Sequence, residues 1–173
     1  MRNRNIVAML PMIALLSACG YHTSGRAAHL PQDVHTIAVP AFVNQTHSYR
    51  VEQLLTAAVV REFVGRTRYH IANEASDDAD AVLRGTVVGT SLSPLTYDAK
   101  TGHASTVLVT VNLKVQLVRR GGAVIYENAN YTFRDEYQVS REISSFFDEE
   151  SPALDRMSRD FARTLVSNIL EAY

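Results

Sequence analysis

Few side chains in this 173-residue sequence could do chemistry, and they lie far apart. The single thiol, Cys19, follows the small residues Ser17 and Ala18, and a thiol in that place can be acylated. Lys114, Arg119 and Arg120 gather cations late in the chain. Guanidinium groups grip phosphates in two-pronged fashion, so a phosphate-bearing ligand is the chemistry they suggest; ordinary solvated hairpin charges are the alternative. The six histidines, at 22, 29, 35, 47, 70 and 103, are scattered, with no HExxH pair and no second cysteine to build a zinc site. Neither a GxSxG elbow nor a Gly-Lys-Ser phosphate loop occurs. The acids Asp77, Asp78 and Asp80, and those from Asp148 to Glu150, lack the oxygen spacing of a calcium loop and read as solvated turn residues. No catalytic constellation, metal site or cofactor is expected, and the chain does not read as an enzyme.

The surroundings of Cys19 decide its role. Arg2 and Arg4 precede an uncharged run from Ile6 to Leu16 that ends in small residues, the layout of a signal peptide. The run covers about half of the roughly 20 residues that a membrane-spanning helix needs. Residues 1–18 are therefore expected to be cut off. Leu16-Ser17-Ala18-Cys19 resembles the bacterial lipobox, in which the cysteine receives a diacylglyceryl group and becomes the mature N-terminus. Several acyl chains, each buried CH2 contributing about 0.8 kcal/mol, anchor a protein stably where one chain is marginal. An ordinary secreted protein would have its cysteine here only by coincidence. By similarity to bacterial lipoproteins, Gly20 is compatible with export to the outer membrane.

Charge and length bound the rest. The chain holds 17 basic and 18 acidic residues, and losing Arg2 and Arg4 leaves the mature part mildly acidic. Nucleic-acid binding, which wants a basic domain or stripe, is not expected. About 155 residues remain, enough for one domain with a proper core. With Cys19 acylated no disulfide is possible, so stability must come from packing.

Positioning elements follow from periodicity. Residues 19–35, with Gly20, Ser24, Gly25 and Pro31, read as a lipidated N-terminus and linker, and a single domain is expected over 36–173. Ile37, Val39 and Phe42 suggest a first short strand, with Pro40 at an edge or bulge. Val51, Leu54, Leu55, Ala58, Val59 and Phe63 predict a helix from Tyr49 to Val64, with Ser48 as N-cap, Gly65 closing it, and Arg61 and Arg66 suited to its negative pole. A short strand over Tyr69 to Ile71 precedes a long one from Ala81 to Ser93, where Gly85 and Gly89 each mark a bulge or a close backbone approach. The loop Pro94 to Gly102 turns the chain. Val107, Val109, Val111, Leu113, Val115 and Leu117 then alternate with a mostly wet set. Arg119-Arg120-Gly121-Gly122 reads as a tight hairpin connection, with glycine supplying positive φ. The returning strand slips at Asn128 to Asn130, where a bulge is expected. Ser151 and Pro152 look like the N-cap and first residue of a second helix carrying Leu154, Met157, Phe161, Leu165 and Ile169. Two amphipathic helices need one apolar surface. The prediction is an α+β two-layer sandwich, with both helices on one face of a mixed sheet of three to five strands and a right-handed crossover after the first.

Several stretches together resemble a known family: Leu-Ser-Ala-Cys-Gly-Tyr-His at 16–22, Ile-Ala-Val-Pro-Ala-Phe-Val-Asn at 37–44, Glu-Gln-Leu-Leu-Thr at 52–56, and Ala-Asp-Ala-Val-Leu-Arg-Gly-Thr at 79–86. With Ser93-Pro94, Tyr97 and the Val-rich hairpin, they are similar to the LPS-assembly lipoprotein family, LptE. The resemblance implies a non-enzymatic outer-membrane lipoprotein that plugs and helps assemble an LptD-type β-barrel and takes part in lipopolysaccharide transport. It would be lipid-anchored through Cys19, facing the periplasm or sitting within the barrel lumen. Lys114, Arg119 and Arg120 are candidates to contact lipopolysaccharide from charge and position alone, and reversing both arginines is expected to weaken that binding with the fold intact. The first strand and helix are also similar to other lipoprotein adaptors, such as peptidoglycan-synthase activators and secretion-barrel accessories.

Overall fold

Period-two alternation through the middle of the chain produces three long antiparallel strands, and everything else is laid against them. The computed structural model describes residues 30–31, 33–75, 78–138 and 146–172, with the backbone alone for 146–151. In chain order the elements are β1 (Thr36–Ala38), β2 (Val43–Asn44), α1 (Val51–Arg66), β3 (His70–Ala72), β4 (Ala81–Tyr97), β5 (Ala104–Arg119), β6 (Val124–Gln138) and α2 (Phe146–Glu171). They build one six-stranded sheet in the order β3-β1-β4-β5-β6, with β2 also paired to β4. β1 runs parallel to β3 and β4, β2 runs parallel to β4, and β4, β5 and β6 are antiparallel. The expected α+β two-layer fold on a mixed sheet is observed.

The sheet has six strands rather than three to five, and proline is the reason. A strand cannot continue its ladder through Pro40, which has no N–H to donate. β1 therefore stops at Ala38, and the chain rejoins the same neighbour further along, Val43 facing Thr86 of β4.

Both helices cover one face. Val51, Leu55, Ala58, Val59 and Phe63 of α1 are buried, as are Leu154, Met157, Phe161, Leu165 and Ile169 of α2, in one core with the inward row of β5 from Val109 to Leu117. Phe161 is the hub: its ring lies edge-on to Phe42, Tyr131 and Phe133 at centroid distances of 6.3, 5.8 and 5.2 Å. Asn168 of α2 donates to the Tyr131 phenol at 3.0 Å, and Tyr126 shares a hydrogen bond with the same oxygen. Burial first, then the hydrogen bond with Tyr126, pushes the pKa of the Tyr131 phenol above the ordinary tyrosine value. Leu30 and Val34, in the stretch read as linker, are buried in this core as well.

Helix ends differ from the sequence reading. α1 starts at Val51 behind Arg50, whose φ of 58° is left-handed and whose side chain makes no cap. Ser48 instead donates to the Thr90 hydroxyl at 2.8 Å, tying the pre-helix loop to β4. At the other end Thr67 takes the part assigned to Gly65: its N–H and hydroxyl both reach the Phe63 carbonyl, at 2.9 and 2.7 Å. Arg66 bonds Ser167 of α2 at 2.8 Å and Glu62 at 3.3 Å. α2 begins at Phe146, so Pro152 lies inside it rather than at its first turn. The connection over 139–145 and the Ser151 side chain lie outside the described residues.

Glycine readings resolve by position. A Cβ on Gly85 would fall 2.5 Å from the Phe42 ring, so this is a close approach, whereas the β4 ladder slips between Val87 and Gly89. Of the Gly-Gly pair only Gly122 takes positive φ, at 86°. The predicted bulge on β6 is present, since the pairing steps from Leu113↔Tyr131 to Val115↔Asn128. Pro94 does not begin a loop. β4 runs on to Tyr97, and the turn is Asp98 to His103, where Asp98 Oδ1 accepts from the Lys100 and Thr101 amides at 2.9 and 3.0 Å.

Candidate functional site

The hairpin between β5 and β6 brings Arg119 and Arg120 to one end of the long strands, beside the start of β1 and β4. Chain geometry forces this meeting. The Arg119↔Ala81 and Ile37↔Ala81 pairings set the turn next to the residues that precede both strands. Asp80, read from sequence as a solvated turn acid, is the centre of the resulting network. Its Oδ2 accepts the His35 and Thr36 amides, each at 2.9 Å, and its Oδ1 accepts from Arg120 Nη2 at 3.2 Å. The two backbone amides, followed by the Arg120 charge, hold its carboxyl below the ordinary carboxylate range.

Arg120 does more than pair with that acid. Its guanidinium also donates to the Asp78 carbonyl at 2.7 Å and the Ala79 carbonyl at 3.1 Å, and its amide donates to the Asp80 carbonyl at 2.8 Å. Arg119 forms an ion pair with Asp33. A cleft of about 280 Å³ opens between Asp33, Asp80, Arg119, Arg120, Gly121 and Ala123. The two arginines thus lock the hairpin to the strand starts, and their charge faces carboxylates already in place. Reversing both would set carboxylates against Asp33 and Asp80, so the expectation that such a change spares the fold does not match this geometry.

Lys114 lies elsewhere. Five residues along β5 from Arg119 is about 17 Å of strand. Lys114 is exposed on the face opposite the helices, paired in register with Thr86. Arg84, two positions along β4 on the same face, sits diagonal to it, and Arg134 of β6 is exposed on that face too, opposite Thr110. Among the described residues none of these three cations has a carboxylate partner. Sequence reasoning named Lys114 and missed Arg84 and Arg134. The alternation that buries Leu83 and exposes Arg84 carried the signal for one. For Arg134 the signal was obscured, because the bulge at 129–130 resets which β6 residues point outward.

No three histidine or acidic side chains converge to hold a metal ion among the described residues. Cys19 lies outside them.

A family model described as LptE, lipopolysaccharide-assembly, matches residues 34–169. The chain belongs to the LptE family. That match takes in all six strands and α2 up to Ile169. No curated protein matches the sequence. Among solved structures, the solution structure of uncharacterized lipoprotein B from Nitrosomonas europaea is similar at TM-score 0.55 and 14% identity, over 88% of this chain and 94% of that one. A Xanthomonas campestris protein reaches 0.54 at 14% identity, over 83% and 88% of the two chains. PelC from Paraburkholderia phytofirmans, solved as a dodecamer, reaches 0.51 at 16%, over 86% and 94%. At such identities these three share the fold with this LptE-family chain and nothing more specific.

Proposed function

We propose that this LptE-family protein is a non-enzymatic, outer-membrane lipoprotein that plugs and helps assemble an LptD-type β-barrel and takes part in moving lipopolysaccharide to the cell surface. The observation that carries the reading is the family match over 34–169, which spans the whole sheet and nearly all of α2. Residues 1–18 act as signal peptide, and Cys19 carries the acyl chains. From Cys19 to Leu30, the first described residue, about a dozen residues can extend roughly 40 Å, so the domain can stand off the bilayer while remaining tethered. Among the described residues no helix is long and apolar enough to cross a membrane, and the lipid supplies the attachment. Lys114, Arg119 and Arg120 remain the proposed lipopolysaccharide contacts. Among the described residues Lys114 has no carboxylate partner, while the arginines present their charge from a cleft shared with Asp33 and Asp80.

The test is a pull-down of the full-length lipoprotein from detergent-solubilised membranes with partners identified by mass spectrometry. A stoichiometric LptD-type barrel is the expected result. A peptidoglycan synthase in its place, or no barrel, would refute the plug reading.

A further inference from the structure

The lipid-bearing tether proposed above enters the fold at a fixed place. Leu30 and Val34 are buried, the Leu30 backbone lies against the Tyr69 phenol, and the His35 carbonyl accepts from the His70 amide at 2.9 Å. Asp33 is held by Arg119. The chain therefore reaches the domain beside the connection from α1 to β3. About a dozen residues separate Cys19 from this point, so the end of α1 stays within roughly 40 Å of the acyl chains.

The surface beside that entry is basic and partly apolar. Arg61 and Val64 lie one turn apart on the outward side of α1, and Arg68 follows the helix end; all three are exposed, Val64 at 62%. The space between them is open, since a Cβ at Gly65 would meet no atom within 4 Å. Among the described residues neither Arg61 nor Arg68 has a carboxylate partner. Acids near the entry are already engaged: Glu62 with Arg66, Asp33 with Arg119, and Asp80 with Arg120. Glu74 lies past β3, which runs parallel to β1 and away from the entry, and Glu171 belongs to α2. Between Cys19 and Gln32 the sequence holds Arg26 and no acid. An apolar side chain flanked by cations is the composition of a helix side that lies on a bilayer.

We infer that Arg61, Val64 and Arg68 rest on the anionic phospholipid headgroups of the leaflet that holds the acyl chains of Cys19. Two observations name this occupant. The tether confines the surface to within its own length of a bilayer, and the charges left over there are opposite in sign to phosphate headgroups. Guanidinium groups would take the phosphates while Val64 enters the headgroup layer. A free phosphate would engage the arginines alone and leave Val64 in water. The inference rests on the acylation of Cys19 in the reading above, and it concerns the lipoprotein on its bilayer before a barrel is engaged.

The experiment uses the full-length acylated lipoprotein in vesicles. With Cys19 acylated the chain has no other thiol, so Val64→Cys gives one site for an environment-sensitive fluorophore. Tyr97→Cys, at the other end of the long strands, gives the control. In phosphatidylcholine vesicles containing phosphatidylglycerol, emission from position 64 should shift to the blue, and high salt should reverse the shift by screening. Phosphatidylcholine alone, with or without inorganic phosphate, should give no shift. Arg61→Gln with Arg68→Gln should lower contact about 30-fold, the loss expected for two arginines at an anionic surface, at unchanged Tm. An equal shift at position 97, a shift at 64 that ignores phosphatidylglycerol or the arginines, or one produced by inorganic phosphate overturns the inference and leaves the acyl anchor standing. Protein that does not stay with the vesicles overturns both.

Discussion

The two ends of β4 are built on opposite principles. At its start, around Ala81, charged groups pair across the chain: Asp80 binds two backbone amides and Arg120, Arg120 binds two carbonyls, and Arg119 binds Asp33. Beyond Thr90 the strand is uncharged, and among the described residues no second strand lies along one of its edges. One end spends its polar groups on holding distant parts of the chain in register, and the other has no second described strand along one edge. The register of the sheet is fixed at the first end and in the core, by the Asp80 network and the Phe161 hub, while Pro94 and the ladder irregularities that follow it interrupt the far end.

Substitutions at the two ends should therefore behave differently. The largest loss is expected from Gly85→Ala, whose new methyl would press on the buried Phe42 ring. Overpacking of this kind typically costs about 1–3 kcal/mol, measurable by urea unfolding. Gly89→Ala is the control further along the same strand. Its nearest neighbour is the Asn112 side-chain amide at 3.3 Å, which can turn aside. The change should stay within about 0.5 kcal/mol, and a loss equal to that at Gly85 would break the contrast.

Asp80→Asn should lower Tm clearly at neutral pH, because it takes the charge away from the His35 and Thr36 amides and from Arg120. The pH dependence has a fixed sign. Asp80 titrates below its ordinary value of 3.8 in the folded protein. Its contribution is complete above that value and is lost as the pH falls through the folded-state value. Stability curves of the wild type and Asp80→Asn should converge below pH 3.8; a gap that persists there would show that shape rather than charge is responsible. The smallest stability effect is expected at the far end of β4. Leu92→Lys should change stability by no more than about 0.5 kcal/mol, read by thermal unfolding, while placing on the edge the charge that β6 already carries.

Local pattern explains which parts were legible. The inward rows of β5 and α2, Val107 to Leu117 and Leu154 to Ile169, were visible because burial imposes a period on the side chains themselves. Helix ends were less visible. Ser48 and Gly65 have the residue types of caps, yet Ser48 is drawn to Thr90 and Thr67 closes the helix, since a cap is decided by which partner is within reach. The candidate cations divide in the same way. Outward placement of Lys114 follows from alternation, whereas the engagement of Arg119 and Arg120 depends on Asp33 and Asp80, roughly 40 or more residues away in sequence.

By itself, the sequence determined the two amphipathic helices, the long hairpin and the resemblance to the LptE family, because each is written in neighbouring residues. Only the tertiary structure decided that Asp80 fastens the hairpin, that Pro40 divides the first strand into two, and that β4 runs on with β5 beyond the last pairing it makes with β1 and β2. Those features depend on which segments pair and where each pairing stops, and long-range register is set by the packing of the whole sheet rather than by any one stretch of it.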